Sequence, residues 1–121
     1  MEKFKLKVKI SIADEKNKGF FGIGIIWLLK EIEKTGSIKK ASENMHMSYS
    51  KAHKILKRAE EKFGVKFLEK KKGGIERGGS YLTDFAYKFI EIYTKFQEDI
   101  KNYAREKFEK EIVSLFKNSH V

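Results

Sequence analysis

Between Ser48 and Arg58 the chain reads SYSKAHKILKR, a run of side chains that carry positive charge or donate hydrogen bonds, broken at intervals by apolar residues. Ala52, Ile55, Leu56, Ala59 and Phe63 follow the spacing of one helical face. At about 100° per residue, Ser50, Lys54 and Lys57 then lie opposite, with Lys51, His53 and Arg58 on the flanks. Such a face suits an anionic partner rich in acceptors, and nucleic acid is the obvious one. Small Ser50 and neighbouring Tyr49 fall in the first helical turn, the part of a recognition helix that enters a major groove. His53 and Lys54 can reach base edges or phosphates, whereas Lys57 and Arg58 suit phosphate. The plainer alternative is a solvated, lysine-rich surface.

A second basic group follows. Lys70, Lys71, Lys72 and Arg77 surround the pairs Gly73-Gly74 and Gly78-Gly79, as at the tip of a β-hairpin that follows a phosphate backbone or enters a minor groove. Residues 36–83 hold 12 basic and 5 acidic residues, so +7 of the formal net charge of +10 lies there. Residues 84–121 are balanced at 7 of each.

Catalysis is not expected. His46, His53 and His120 are the three histidines, and none stands at metal-ligand spacing from another His or a carboxylate. Cysteine is absent, and GGIERGG leads back into a strand where a phosphate-binding loop would need a helix. Ser37 and Ser48 read as helix caps whose helix N-termini also favour phosphate. No cofactor and no metal are expected. No apolar run reaches the length of a membrane span, and the N-terminus lacks a signal peptide's apolar core, so the expected location is cytoplasmic.

These residues must be carried by a definite set of elements. Residues 4–12, FKLKVKISI, alternate strictly and predict a strand, with Phe20-Phe21 beginning its return. IGIIWLLKEIEKT predicts a helix ended by Gly36. Ser37 opens a short helix over Ile38 to Asn44, and Ser48 opens another that runs to Phe63 and Gly64. Phe67-Leu68 and Tyr81-Leu82 flank the glycine-rich tip, and Thr83 caps a last helix reaching Phe116, about 50 Å long. The expected class is mainly α with small β-hairpins. The architecture is a winged helix-turn-helix with an N-terminal β-hairpin and a long C-terminal dimerisation helix. A single domain over 1–121 is expected: hairpin 1–22, helix-turn-helix and wing 23–83, long helix 84–117.

From Gly36-Ser37 through Ala41, Met47-Ser48-Tyr49, Ala52, the two glycine pairs and Leu82-Thr83, the chain resembles the N-terminal DNA-binding domain of the molybdate-responsive (ModE) transcription regulators. ASENMHMS and EEKFGVKFLEK are similar to the related LysR-type helix-turn-helix. The resemblance spans about Phe20 to Tyr93. It implies a homodimeric, sequence-specific transcription regulator on double-stranded DNA, with Tyr49, Ser50, His53 and Lys54 facing the major groove. His46 departs from the glycine usual in the molybdate regulators, though histidine tolerates left-handed angles better than most residues. Those regulators carry C-terminal oxyanion-binding domains. The residues after the wing read here as one helix, so no molybdate site is expected in this chain.

The last helix carries an apolar stripe well beyond the wing. Phe96, Ile100, Tyr103, Phe108 and Ile112 are therefore the expected dimer interface. Two other readings remain open: a nonspecific, architectural DNA binder, and a winged helix that binds RNA or protein.

Overall fold

The computed structural model describes residues 3–70 and 79–119. Its contacts form two compact units, one of residues 11–91 and one of residues 1–10 with 92–121.

The first unit opens with the hairpin β1 (Ser11–Ala13) and β2 (Gly19–Gly22), antiparallel, with Ser11 opposite Gly22 and Ile12 opposite Phe21. Asn17 turns the corner at φ 65, and Asp14 Oδ1 accepts from the Lys16 and Lys18 N–H groups at 2.9 Å each. α1 (Ile23–Thr35) buries Ile25, Ile26, Leu28, Leu29 and Ile32, the broad face its sequence carries. Gly36, at φ 72, ends it in the left-handed region that favours glycine. α2 (Ile38–Asn44) and α3 (Tyr49–Phe63) follow, and Gly64 closes α3 at φ 68. β3 (Leu68–Lys70) and β4 (Ser80–Leu82) pair antiparallel, with Leu68 opposite Leu82. α4 (Asp84–Lys107) then begins, capped by the Thr83 hydroxyl, which accepts from Ala86 N–H at 3.0 Å.

An aromatic cluster sits in the core of this unit. Phe67 is fully buried, with ring centroids 5.4 to 6.2 Å from Phe21, Phe63, Phe85 and Phe89. Ala41, Ala52 and Ala59 are also fully buried, so α2 and α3 present small side chains where they pack. The expected winged helix-turn-helix is thus present, with α1 to α3, the β3–β4 hairpin and the start of α4 in the expected order.

The N-terminal strand is shorter than its alternation suggests. Phe4–Ile12 was the expected span, yet the ladder holds only Ser11–Ala13. The reason lies in the partner. Gly22 is the last residue of β2 and sits opposite Ser11, and α1 starts at Ile23, so no backbone remains to pair with residues before 11. The alternation holds from Leu6 onward: Leu6, Val8 and Ile10 are half-buried and Lys5, Lys7 and Lys9 are exposed, whereas Phe4, expected on the apolar face, is exposed like Lys3.

In the second unit, helical structure continues past Lys107. A π-helical stretch covers Phe108–Val113 and α5 covers Ser114–Ser119. The Tyr93 hydroxyl donates to Ile10 O at 3.4 Å. Of the expected interface residues, Phe96, Ile100, Tyr103 and Ile112 are exposed, Tyr103 by 63%, and Phe108 is half-buried.

Candidate nucleic-acid interface

The α2–α3 turn contains neither Gly nor Pro. It closes because His46 takes the left-handed conformation at φ 57. His46 N–H then donates to Glu43 O at 3.1 Å, and Met47 N–H donates to Ser42 O at 3.0 Å. This conformation is uncommon for a residue with a Cβ, but histidine is among the side chains that populate it. The turn brings Ser48 to the head of α3, where its Oγ accepts from Lys51 N–H at 3.1 Å. Ser37 does the same for α2, accepting from Lys40 N–H at 3.1 Å. Both hydroxyls are thus engaged as caps, Ser48 exposed and Ser37 half-buried. Replacing Ser48 with alanine is expected to lower stability in urea unfolding by about 1 kcal/mol. A loss below about 0.3 kcal/mol would mean that water replaces the cap.

α3 divides as its periodicity predicts. Ala52, Leu56 and Ala59 are buried, and Ile55 and Phe63 are half-buried. Tyr49, Ser50, Lys51, His53, Lys54, Lys57 and Arg58 are all exposed, which leaves one continuous donor-rich face. Tyr49 and His53, one turn apart, stack with centroids 5.8 Å apart at 30°, so each limits the other's rotamers.

The wing is fastened to α3 by a carboxylate. Glu60 Oε2 accepts from the Phe67 N–H at 2.7 Å and the Leu68 N–H at 3.3 Å. At the other strand, Ser80 N–H donates to Gly36 O at 3.0 Å, Thr83 N–H to Phe67 O at 3.0 Å, and the Thr83 hydroxyl to Lys66 O at 2.7 Å. Lys70 stands exposed at the end of β3. Lys71, Lys72 and Arg77 lie outside the described residues.

One cation beside this face is absent from the expected set. Lys62, one turn beyond Arg58, is ion-paired with Asp14 of the β1–β2 turn at 3.3 Å. The i, i+4 spacing from Arg58 was the available signal; the partner 48 residues away was not readable from spacing. A hydrogen bond from the Lys18 N–H, helped by Lys62 and the Lys16 N–H, holds the Asp14 carboxyl below the ordinary carboxylate range. Among the described residues, no group of three or more His, Cys, Asp or Glu could hold a metal ion. Nor is any helix among them long and apolar enough to cross a membrane.

The chain has relatives on both sides of the resemblance drawn from its residues. The transcriptional regulator ModE of Haemophilus influenzae is 36% identical over 66 residues, covering 54% of this chain and 26% of that protein. The chain therefore spans about a quarter of that relative's length. Solved structures share the fold at lower identity. The CbnR_DBD–DNA complex matches with a TM-score of 0.56 at 18% identity, over 74% of this chain and 98% of that one. The BenM_DBD complex with catB site 1 DNA matches with a TM-score of 0.53 at 16% identity, over 78% and 94%. The family model for bacterial regulatory helix-turn-helix proteins of the lysR family matches residues 26–86, from the first turn of α1 to the first turn of α4. That match takes in half of the chain and every element that shapes the α3 face, and the chain belongs to the lysR family of bacterial regulatory helix-turn-helix proteins.

Proposed function

We propose that this protein is a sequence-specific, DNA-binding transcription regulator that acts as a homodimer inside the cell. The exposed α3 face carries the reading: from Tyr49 to Arg58 it holds seven exposed donor or cationic side chains and no acid. α3 lies in the major groove, with Tyr49, Ser50, His53 and Lys54 toward base edges. Lys51, Lys57 and Arg58 meet phosphate, as do the α2 and α3 N-termini at Ser37 and Ser48. Lys70, Lys71, Lys72 and Arg77 on the wing follow the backbone or the minor groove. Residues 23–83 read the DNA, and residues 84–117 pair two copies, which sets the half-sites about one helical turn, ~34 Å, apart.

Selection from random duplex DNA at two salt concentrations, with sequencing of the bound fraction, tests this directly. A two-fold enriched site whose affinity falls with salt is the expected result. Salt-sensitive binding without enrichment would make the protein a nonspecific or architectural binder. Absence of binding at low salt would redirect the search to RNA or protein.

The dimer has its own test. The stripe residues Phe96, Ile100, Tyr103 and Ile112 are each more than two-fifths exposed, a large apolar area for a helix in water. Sedimentation equilibrium should give twice the 14.2 kDa chain mass. Phe108→Asp together with Ile112→Asp should return it to the chain mass. An unaltered mass would remove this stretch from the interface.

A further inference from the structure

The cationic surface does not stop at the end of α3. Lys51, Lys54, Arg58 and Lys62 follow one another at i, i+3, i+7 and i+11, a stripe about 16 Å long on a single flank of the helix. At its C-terminal end the stripe meets the β1–β2 turn. There Arg58 and Lys62 line a cleft of about 600 Å³ together with Lys16 and Lys18 from the turn and with Phe20. Four cations thus converge on one concave surface from two segments far apart in sequence.

Two acids, Asp14 and Glu15, also line it. Asp14 is already engaged: its oxygens accept from the Lys16 and Lys18 N–H groups and from the Lys62 ammonium. These bonds fix the turn against α3. They leave the Lys16 and Lys18 ammonium groups unused by the turn itself, since only their backbone N–H groups take part. Lys62 keeps two of its three donors. The ion pair therefore acts as a fastener that holds a cationic turn beside the recognition helix, and the cleft retains a net positive charge.

We propose that the β1–β2 turn is a third contact with the DNA phosphate backbone, in which Lys16 and Lys18 join Arg58 and Lys62 to seat phosphates flanking the major groove at the C-terminal end of α3. This rests on the DNA-binding reading above and extends the footprint beyond α3 and the wing. Duplex phosphate matches the site: it is repetitive, strongly anionic and acceptor-only, and the cleft is open enough for a polymer to pass. The contact carries no sequence information; it positions the duplex.

The test compares the salt dependence of duplex binding for three proteins: the unaltered chain, Lys16→Ala with Lys18→Ala, and Lys3→Ala with Lys5→Ala. The third removes the same charge from two lysines that do not line the cleft. The exposed Lys16 and Lys18 side chains take no part in the turn's hydrogen bonds, so the fold is retained, and circular dichroism checks this. The expected slope of log K against log salt is shallower by about 1.8 for the Lys16/Lys18 protein, about 0.9 for each lost phosphate contact. Its ranking of duplex sequences stays the same, and the Lys3/Lys5 protein keeps the unaltered slope. An unchanged slope in the Lys16/Lys18 protein, or an equal loss in both, overturns the third contact and leaves DNA binding standing. If the unaltered chain binds no duplex at low salt, both readings fall together.

Discussion

Phe67→Ala is expected to remove about 3–5 kcal/mol of folding stability, the range for truncating a buried phenylalanine. Phe67 is fully enclosed and touches four other rings, from β2, α3 and α4. Its removal leaves a cavity lined by ring edges, which have few alternative rotamers with which to close it. Its backbone also carries the Glu60 and Thr83 bonds that seat the wing, so relaxation around the cavity is transmitted to β3 and β4. In urea, with a slope near 1.5 kcal/mol/M, the midpoint should fall by about 2–3 M, and a marginal domain would be largely unfolded at 37 °C. Phe67→Leu, which refills most of that volume, should recover most of the loss. A midpoint shift below about 0.5 M for the alanine variant would show that the cluster collapses around the gap.

Substitution of Lys51, Lys54 and Lys57 together by alanine should have the largest effect on binding. All three side chains are exposed on α3 and make no ion pair among the described residues. Ser48 caps the helix through the Lys51 backbone N–H, which alanine keeps. Alanine is also a slightly better helix former than lysine, so folding stability should be unchanged within about 0.5 kcal/mol. The salt slope should fall by up to about 2.7 if all three meet phosphate, and by less if Lys54 reads a base. The second case also relaxes the selected sequence at one position, which sequencing of the bound pool detects. An unaltered slope and an unaltered selected site would remove α3 from the groove.

α3 was legible nearly to the residue. Ser48 and Gly64 bound it because a cap hydroxyl and a left-handed glycine are local chemistry, and periodicity then separates buried Ala52, Leu56 and Ala59 from the exposed cations. Even the unusual turn was readable at His46, since its conformation is set by the chain on either side. The N-terminal strand was not. Alternation reports which side of a segment is apolar, but a ladder needs a partner, and the partner's length is set by where α1 begins. Long-range polar bonds were also invisible. The Glu60 bonds to the wing and the Asp14–Lys62 pair depend on tertiary placement, and neither carboxylate has a sequence neighbour that marks it. The π-helical stretch at Phe108–Val113 likewise has no Gly or Pro to announce it.

The residues before Ser11, which pair with no strand among the described residues, bear on how this protein behaves at high concentration. A strand without a ladder partner exposes a row of N–H and C=O groups that any other extended chain can copy, the first step toward a fibril. Lys3, Lys5, Lys7 and Lys9 stand on one side of that row, all exposed. Two copies meeting edge to edge would set ammonium groups opposite one another at cross-strand distance, where like charges repel. The same alternation that half-buries Leu6, Val8 and Ile10 therefore sets charge against edge-to-edge pairing of two N-termini.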